Sequence, residues 1–129
     1  MVGMATGAQP GAADDLLHIR AEHDRDCVVI HVDGEIDYGT ASQLRDQAAS
    51  VVEGARNPRL VLDLGGVTFC DSSGLGVLVG IWKAVHTRGG RLVLARVPQR
   101  CRQLLKGTGL ANILQVRDGL AEAVAAVSG

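Results

Sequence analysis

The chain has 129 residues, 47% of them hydrophobic and 21% charged, with 13 Lys plus Arg set against 14 Asp plus Glu. These values suit one folded domain and exclude the low-hydrophobicity, high-charge composition of disordered chains. The basic residues are scattered and the only aromatics are Tyr38, Phe69 and Trp82, so neither a phosphate-binding stripe nor a stacking platform exists and no nucleic-acid partner is expected.

Residues 1–14 are mostly small, with no basic run and no apolar block. They read as a flexible N-terminal tail rather than a secretory signal. A single domain over residues 15–128 and a cytoplasmic setting are therefore expected. Near-alternation over residues 16–22, and the one-faced set Val28, Ile30 and Val32, predict two strands joined by a polar turn, with Gly34 closing the second. Thr40 to Gln43 has the form of a capping box, and Ala41, Leu44, Ala48, Val51 and Val52 recur at helical spacing up to Gly54.

The apolar run from Leu60 to Leu64 predicts a central strand covered on both faces. From Leu75 to Val85 the only charge is Lys83, which predicts a helix lying deep against the sheet. Gly76 and Gly80 would share a face there, where another backbone could approach. The segment is too short to cross a membrane, which takes about 20 apolar residues.

Leu92 to Ala95 predicts another strand. Pro98 suits the first turn of a helix that points Cys101, Leu104 and Leu105 inward and ends at Gly107 or Gly109. Ile113 to Val116 predicts a short edge strand, and Asp118 a cap for a last helix presenting Leu120, Val124 and Val127. The fold class is thus α/β, a mixed β-sheet of four to five strands with about four helices and helical crossovers.

Catalysis is not expected. Serines at a strand-to-helix turn suggest a hydrolase nucleophile, but Cys70 and Asp71 stand where that turn needs glycine. The glycines lack the spacing of a dinucleotide or phosphate-binding loop. Cys27, Cys70 and Cys101 are odd in number and far apart, and His18, His23, His31 and His86 lack zinc spacing, so no disulfide framework, metal or cofactor is expected. Buried free thiols are the simpler reading.

The remaining unusual feature is the run from Thr68 to Gly76, with Asp71, Ser72 and Ser73 where a strand hands over to an apolar helix. On local grounds a serine there is a helix cap worth about 1 kcal/mol. Taken with the rest of the chain, the segment resembles the STAS family, and specifically its small stand-alone anti-sigma factor antagonists. GEIDYGTASQLR (residues 34–45) is similar to the family's first-helix entry, VTFCDSSGLGVLVG (67–80) to its central signature, and TGL (108–110) to the end of its third helix. The resemblance covers residues 16–127. Three departures stand out: the extra N-terminal tail, Cys70 where a larger apolar residue is usual, and the glycine-rich signature helix.

The resemblance implies a STAS-like fold and a binding module rather than an enzyme. It implies that Ser73 is phosphorylated by an anti-sigma factor with serine kinase activity, and that only the unphosphorylated form binds that partner and releases a sigma factor. A separate serine phosphatase would reset it. Ser72 then becomes the expected cap. Asp37, Thr40, Asp71, Ser72, Gly74 and Leu75 are the expected partner-binding positions, although Asp37 could equally shape the turn before Thr40. Phe69 and Trp82, among apolar neighbours, are expected in the core. The alternative is a cytosolic accessory subunit of a membrane lipid or anion transporter, with no direct membrane insertion.

Overall fold

The structure is a computed structural model, and it describes residues 17–128. The predicted tail, residues 1–14, lies outside the described residues. Five strands form one sheet in the order of the chain: β1 (Leu17–Asp24), β2 (Cys27–Ile36), β3 (Arg59–Cys70), β4 (Arg91–Ala95) and β5 (Gln115–Arg117). β1 and β2 pair antiparallel and every later neighbour pairs parallel. The helices are α1 (Ala41–Glu53), α2 (Ser72–Thr87), α3 (Gln99–Thr108) and α4 (Leu120–Ser128), with one 3₁₀ turn at Leu110–Asn112. This is the mixed sheet with four helices that the sequence predicted.

Strand alternation explains the layering. Ile30, Val32, Leu60, Leu62, Leu64, Leu92 and Leu94 point to one face, where Leu44, Ala48 and Val52 of α1, Leu75, Leu78, Ile81 and Val85 of α2, and Cys101 and Leu105 of α3 cover them. Val29, Val61, Val93 and Ala95 point to the other face and meet Ala123, Val124 and Val127 of α4. Burying a side chain such as Leu or Val stabilises by roughly 1.5–3 kcal/mol, so the larger cluster dominates the fold.

Two strands outrun their predicted ends. β2 continues through Gly34, whose φ of 114° is open to glycine, and reaches Ile36. β3 continues through Gly65 and Gly66, where register shifts in its pairing with β2 absorb the irregularity. A side chain at Gly66 would overlap the Asp33 carboxylate of the neighbouring strand. A side chain at Gly65 would meet the Arg96 guanidinium, so these glycines make room for neighbouring side chains and do not form a turn.

Four local expectations are corrected. The capping box at Thr40 does not form. The Thr40 hydroxyl donates to the carbonyl of Glu35 at 2.7 Å and caps no helix N–H. Asp118 leaves the start of α4 and accepts from Arg102 at 2.6 Å. Phe69 is 38% exposed, because it stands in the strand extension beyond the helix cover. Gly76 and Gly80 face outward with no atom within 4 Å of an added Cβ, so α2 buries one face only and no backbone approaches the glycines.

Candidate functional site

The site is built where β3 passes into α2. Asp71 is the residue between them, with extended backbone angles (φ −111°, ψ −169°). Its Oδ1 accepts from the backbone N–H of Ser73 at 2.8 Å and of Gly74 at 3.3 Å. Asp71 is therefore the cap, and the assignment of that role to Ser72 is corrected. An ionised carboxylate outperforms a serine hydroxyl here, since it accepts more strongly and faces the positive end of the helix dipole. Ser72 becomes the first helical residue and is exposed, while Ser73 follows half-buried. Neither hydroxyl is needed to cap α2.

The end of β2 is tied to the same corner. The Asp71 N–H donates to the carbonyl of Ile36 at 3.2 Å, and Ile36 pairs with Cys70. Gly74 makes this approach possible. A Cβ at Gly74 would stand 2.6 Å from Cys70 Sγ and 2.9 Å from Ile36 Cγ2. The loop after Ile36 is then held by Asp37, whose Oδ1 accepts from the N–H groups of Gly39 at 2.9 Å and Thr40 at 3.1 Å. Thr40 Oγ1 returns the contact by accepting from the Asp37 N–H at 3.0 Å. Of the two readings open for Asp37, the turn-shaping one is present in the geometry. The loop also carries Tyr38, 90% exposed.

The expected partner-binding positions thus divide by burial. Ser72 is exposed, and Asp37, Asp71 and Ser73 are half-buried at the corner. Thr40, Gly74 and Leu75 are buried, so they hold the corner in shape and offer a partner little surface. A cleft of about 540 Å³ lies at the other end of the strands, lined by residues such as Cys27, Gly54 and Arg59. Among the described residues, no cluster of His, Cys, Asp and Glu could hold a metal ion.

A second polar cluster lies on the sheet face that α4 leaves partly open, and sequence reasoning missed it. Asp63 is 2% exposed, and Arg96 grips it through Nε at 2.9 Å and a terminal nitrogen at 2.6 Å. Asp63 also accepts from the Gly65 N–H at 3.0 Å, and His31 Nδ1 lies 2.6 Å away. The other His31 nitrogen lies 2.6 Å from Glu22. Burial would raise the Asp63 pKa, but the bonds from Arg96, Gly65 and His31 outweigh it and hold the carboxyl below its ordinary value. The only sequence signal was one Asp within an apolar strand. Its side-chain partners come from far along the chain, His31 from β2 and Arg96 from the bend that follows β4.

The STAS domain family profile matches residues 18–123. An anti-sigma F factor antagonist from Paenibacillus polymyxa is 32% identical over 102 residues, covering 79% of this chain and 87% of that protein. An anti-sigma-B factor antagonist from Listeria monocytogenes is 37% identical over 97 residues, covering 75% and 84%. Among solved structures, an anti-sigma factor antagonist from Mycobacterium paratuberculosis superposes with a TM-score of 0.80 at 28% identity, covering 89% of this chain and 97% of that one. The Bacillus cell fate determinant SpoIIAA in its phosphorylated form superposes with a TM-score of 0.66 at 25% identity, covering 85% and 99%.

Proposed function

The chain belongs to the STAS domain family, and within it we propose that this protein is an anti-sigma factor antagonist controlled by phosphorylation of Ser73. In its unphosphorylated form it binds an anti-sigma factor that is also a serine kinase, and a sigma factor is released. Phosphorylated on Ser73 it no longer binds, until a serine phosphatase resets it. The relatives named above as antagonists, and the phosphorylated Bacillus relative, support this reading.

The observation that carries it is the Asp71 cap. Two first-turn N–H groups that would otherwise receive a phosphate are already taken by the Asp71 carboxylate. A phosphate on Ser73 adds about −1.5 to −2 charges next to that carboxylate. Like charge and hydration then push it outward, toward whatever docks on the corner. The fold needs no rearrangement. A loss of about 1.4 kcal/mol lowers affinity tenfold, and desolvating a phosphate in an interface costs more than that.

Titration calorimetry of the wild type and of Ser73→Asp against the cognate anti-sigma factor tests this. Wild type should bind, and Ser73→Asp should bind at least tenfold more weakly at an unchanged fold. Equal affinity would remove charge at Ser73 as the control. Retention by a membrane transporter, with no binding to the anti-sigma factor, would favour the accessory-subunit reading.

A further inference from the structure

The two edges of the sheet are built differently. β5 is three residues long, and Arg117 bends back to donate from Nη1 to the carbonyl of Val116 at 3.0 Å. Short length and an occupied carbonyl blunt that edge. β1 is the other edge of the described sheet, eight residues long, and it pairs with β2 from Leu17 to Asp24 without a register shift. It holds no proline, lysine or glycine, and every residue after Leu17 is exposed or half-buried.

The direction of its backbone groups follows from the hairpin turn. Arg25 and Asp26 form a two-residue turn closed by the pair Asp24 and Cys27, so hydrogen bonding to β2 alternates from there through Asp24, Glu22, Arg20 and His18. The N–H and C=O groups of Ile19, Ala21 and His23 therefore point away from β2, toward the open edge. On one face of the strand, donors at His18 and Arg20 precede acceptors at Glu22 and Asp24. That order complements its own reverse.

We propose that β1 is a homodimerisation edge: two copies pair antiparallel through β1 about a two-fold axis at Ala21, joining their sheets into one. In that register Ala21 faces Ala21, and Ile19 faces His23 of the second copy, so the outward N–H and C=O groups meet as hydrogen-bonded pairs. Arg20 stands directly opposite Glu22 of the second copy, and His18 opposite Asp24, in the positions where side chains approach closest. The symmetry makes each of these contacts twice.

Charge selects this register. An axis at Arg20 would set Arg20 against Arg20, and an axis at Glu22 would set Glu22 against Glu22. An axis midway between residues would leave the outward donors and acceptors unmatched. Charged side chains protect an edge only where like charges meet, and the axis at Ala21 brings opposite charges together. Both groups are available for it. Arg20 and Glu22 are exposed, and their own contact is long at 3.5 Å, while Glu22 engages His31 through its other oxygen at 2.6 Å.

One strand edge buries less surface than a standard interface, so the dimer is weak and concentration-dependent. The β3–α2 corner lies two strands in from this edge, and the pairing does not depend on the role proposed for Ser73.

Sedimentation equilibrium of the full chain from about 10 µM to about 1 mM tests this. The weight-average mass should rise from that of the monomer toward that of the dimer. Arg20→Glu and Glu22→Arg, each checked for folding by circular dichroism, should each weaken self-association about tenfold, because like charges then meet twice across the axis. Mixed in equal amounts, the two variants should associate with each other at least as well as wild type, since every Arg20 or Glu22 position then faces an opposite charge. Ala21→Pro removes an outward N–H that β2 does not use, and should abolish the dimer while the monomer stays folded. A monomer mass at every concentration, unchanged self-association in the charge variants, or a mixture no more associated than its components would overturn the proposal.

Discussion

The carboxylate of Asp71 accepts the backbone N–H of Ser73 at 2.8 Å, so the residue that caps α2 and the residue proposed to be phosphorylated share one hydrogen bond. Removing the cap should therefore cost stability, while removing the first serine should not. Asp71→Ala is expected to lose about 1 kcal/mol in urea unfolding. Ser72→Ala should stay within about 0.5 kcal/mol of wild type. The reverse order would return the cap to Ser72.

Glycines of α2 that look alike in sequence should respond in opposite directions. Gly74→Ala drives a methyl group to 2.6 Å from Cys70 Sγ and 2.9 Å from Ile36 Cγ2, and should destabilise by about 1–3 kcal/mol. Gly76→Ala and Gly80→Ala meet open space. Each should gain up to about 1 kcal/mol through helix propensity. Thermal unfolding of the three variants checks the contrast, and a stabilised Gly74→Ala would contradict the close approach at the corner.

The Asp63 cluster predicts a pH dependence. Asp63 is held below its ordinary value as described, and the hydrogen bond from His31 lowers Glu22 as well. A carboxylate with a depressed folded-state pKa contributes stability that is fully present above its unfolded value near 4 and is lost as pH falls through the folded value. Asp63→Asn should cost about 2 kcal/mol at neutral pH, a modest figure because Arg96 is 52% exposed and well hydrated. The gap between variant and wild type should close below about pH 4. A gap that widened on acidification would contradict the assignment.

Much of this architecture is legible in the chain because local pattern and tertiary need coincide. Leu60 to Leu64 is apolar on both strand faces since both are covered, and the helical spacing of Leu44, Ala48 and Val52 marks the buried side of α1. Legibility fails where one residue type serves two purposes. Gly34 and Gly66 look like turn residues, yet β2 and β3 pair on through them. Thr40 looks like a cap, yet its hydroxyl turns back to Glu35.

At the site, the position of the corner was readable but its division of labour was not. Asp71, Ser72 and Ser73 are all good caps in isolation, and only the backbone path decides which side chain meets the free N–H groups. The Asp63–Arg96 contact joins residues 33 apart in the chain, so no local pattern could announce it.

Phosphopeptide mapping tests the central claim most directly, after incubating the protein with its cognate anti-sigma factor kinase and ATP. The account predicts one modified residue, Ser73, with labelling abolished in Ser73→Ala and retained in Ser72→Ala. Labelling of Ser73→Ala equal to wild type would contradict it.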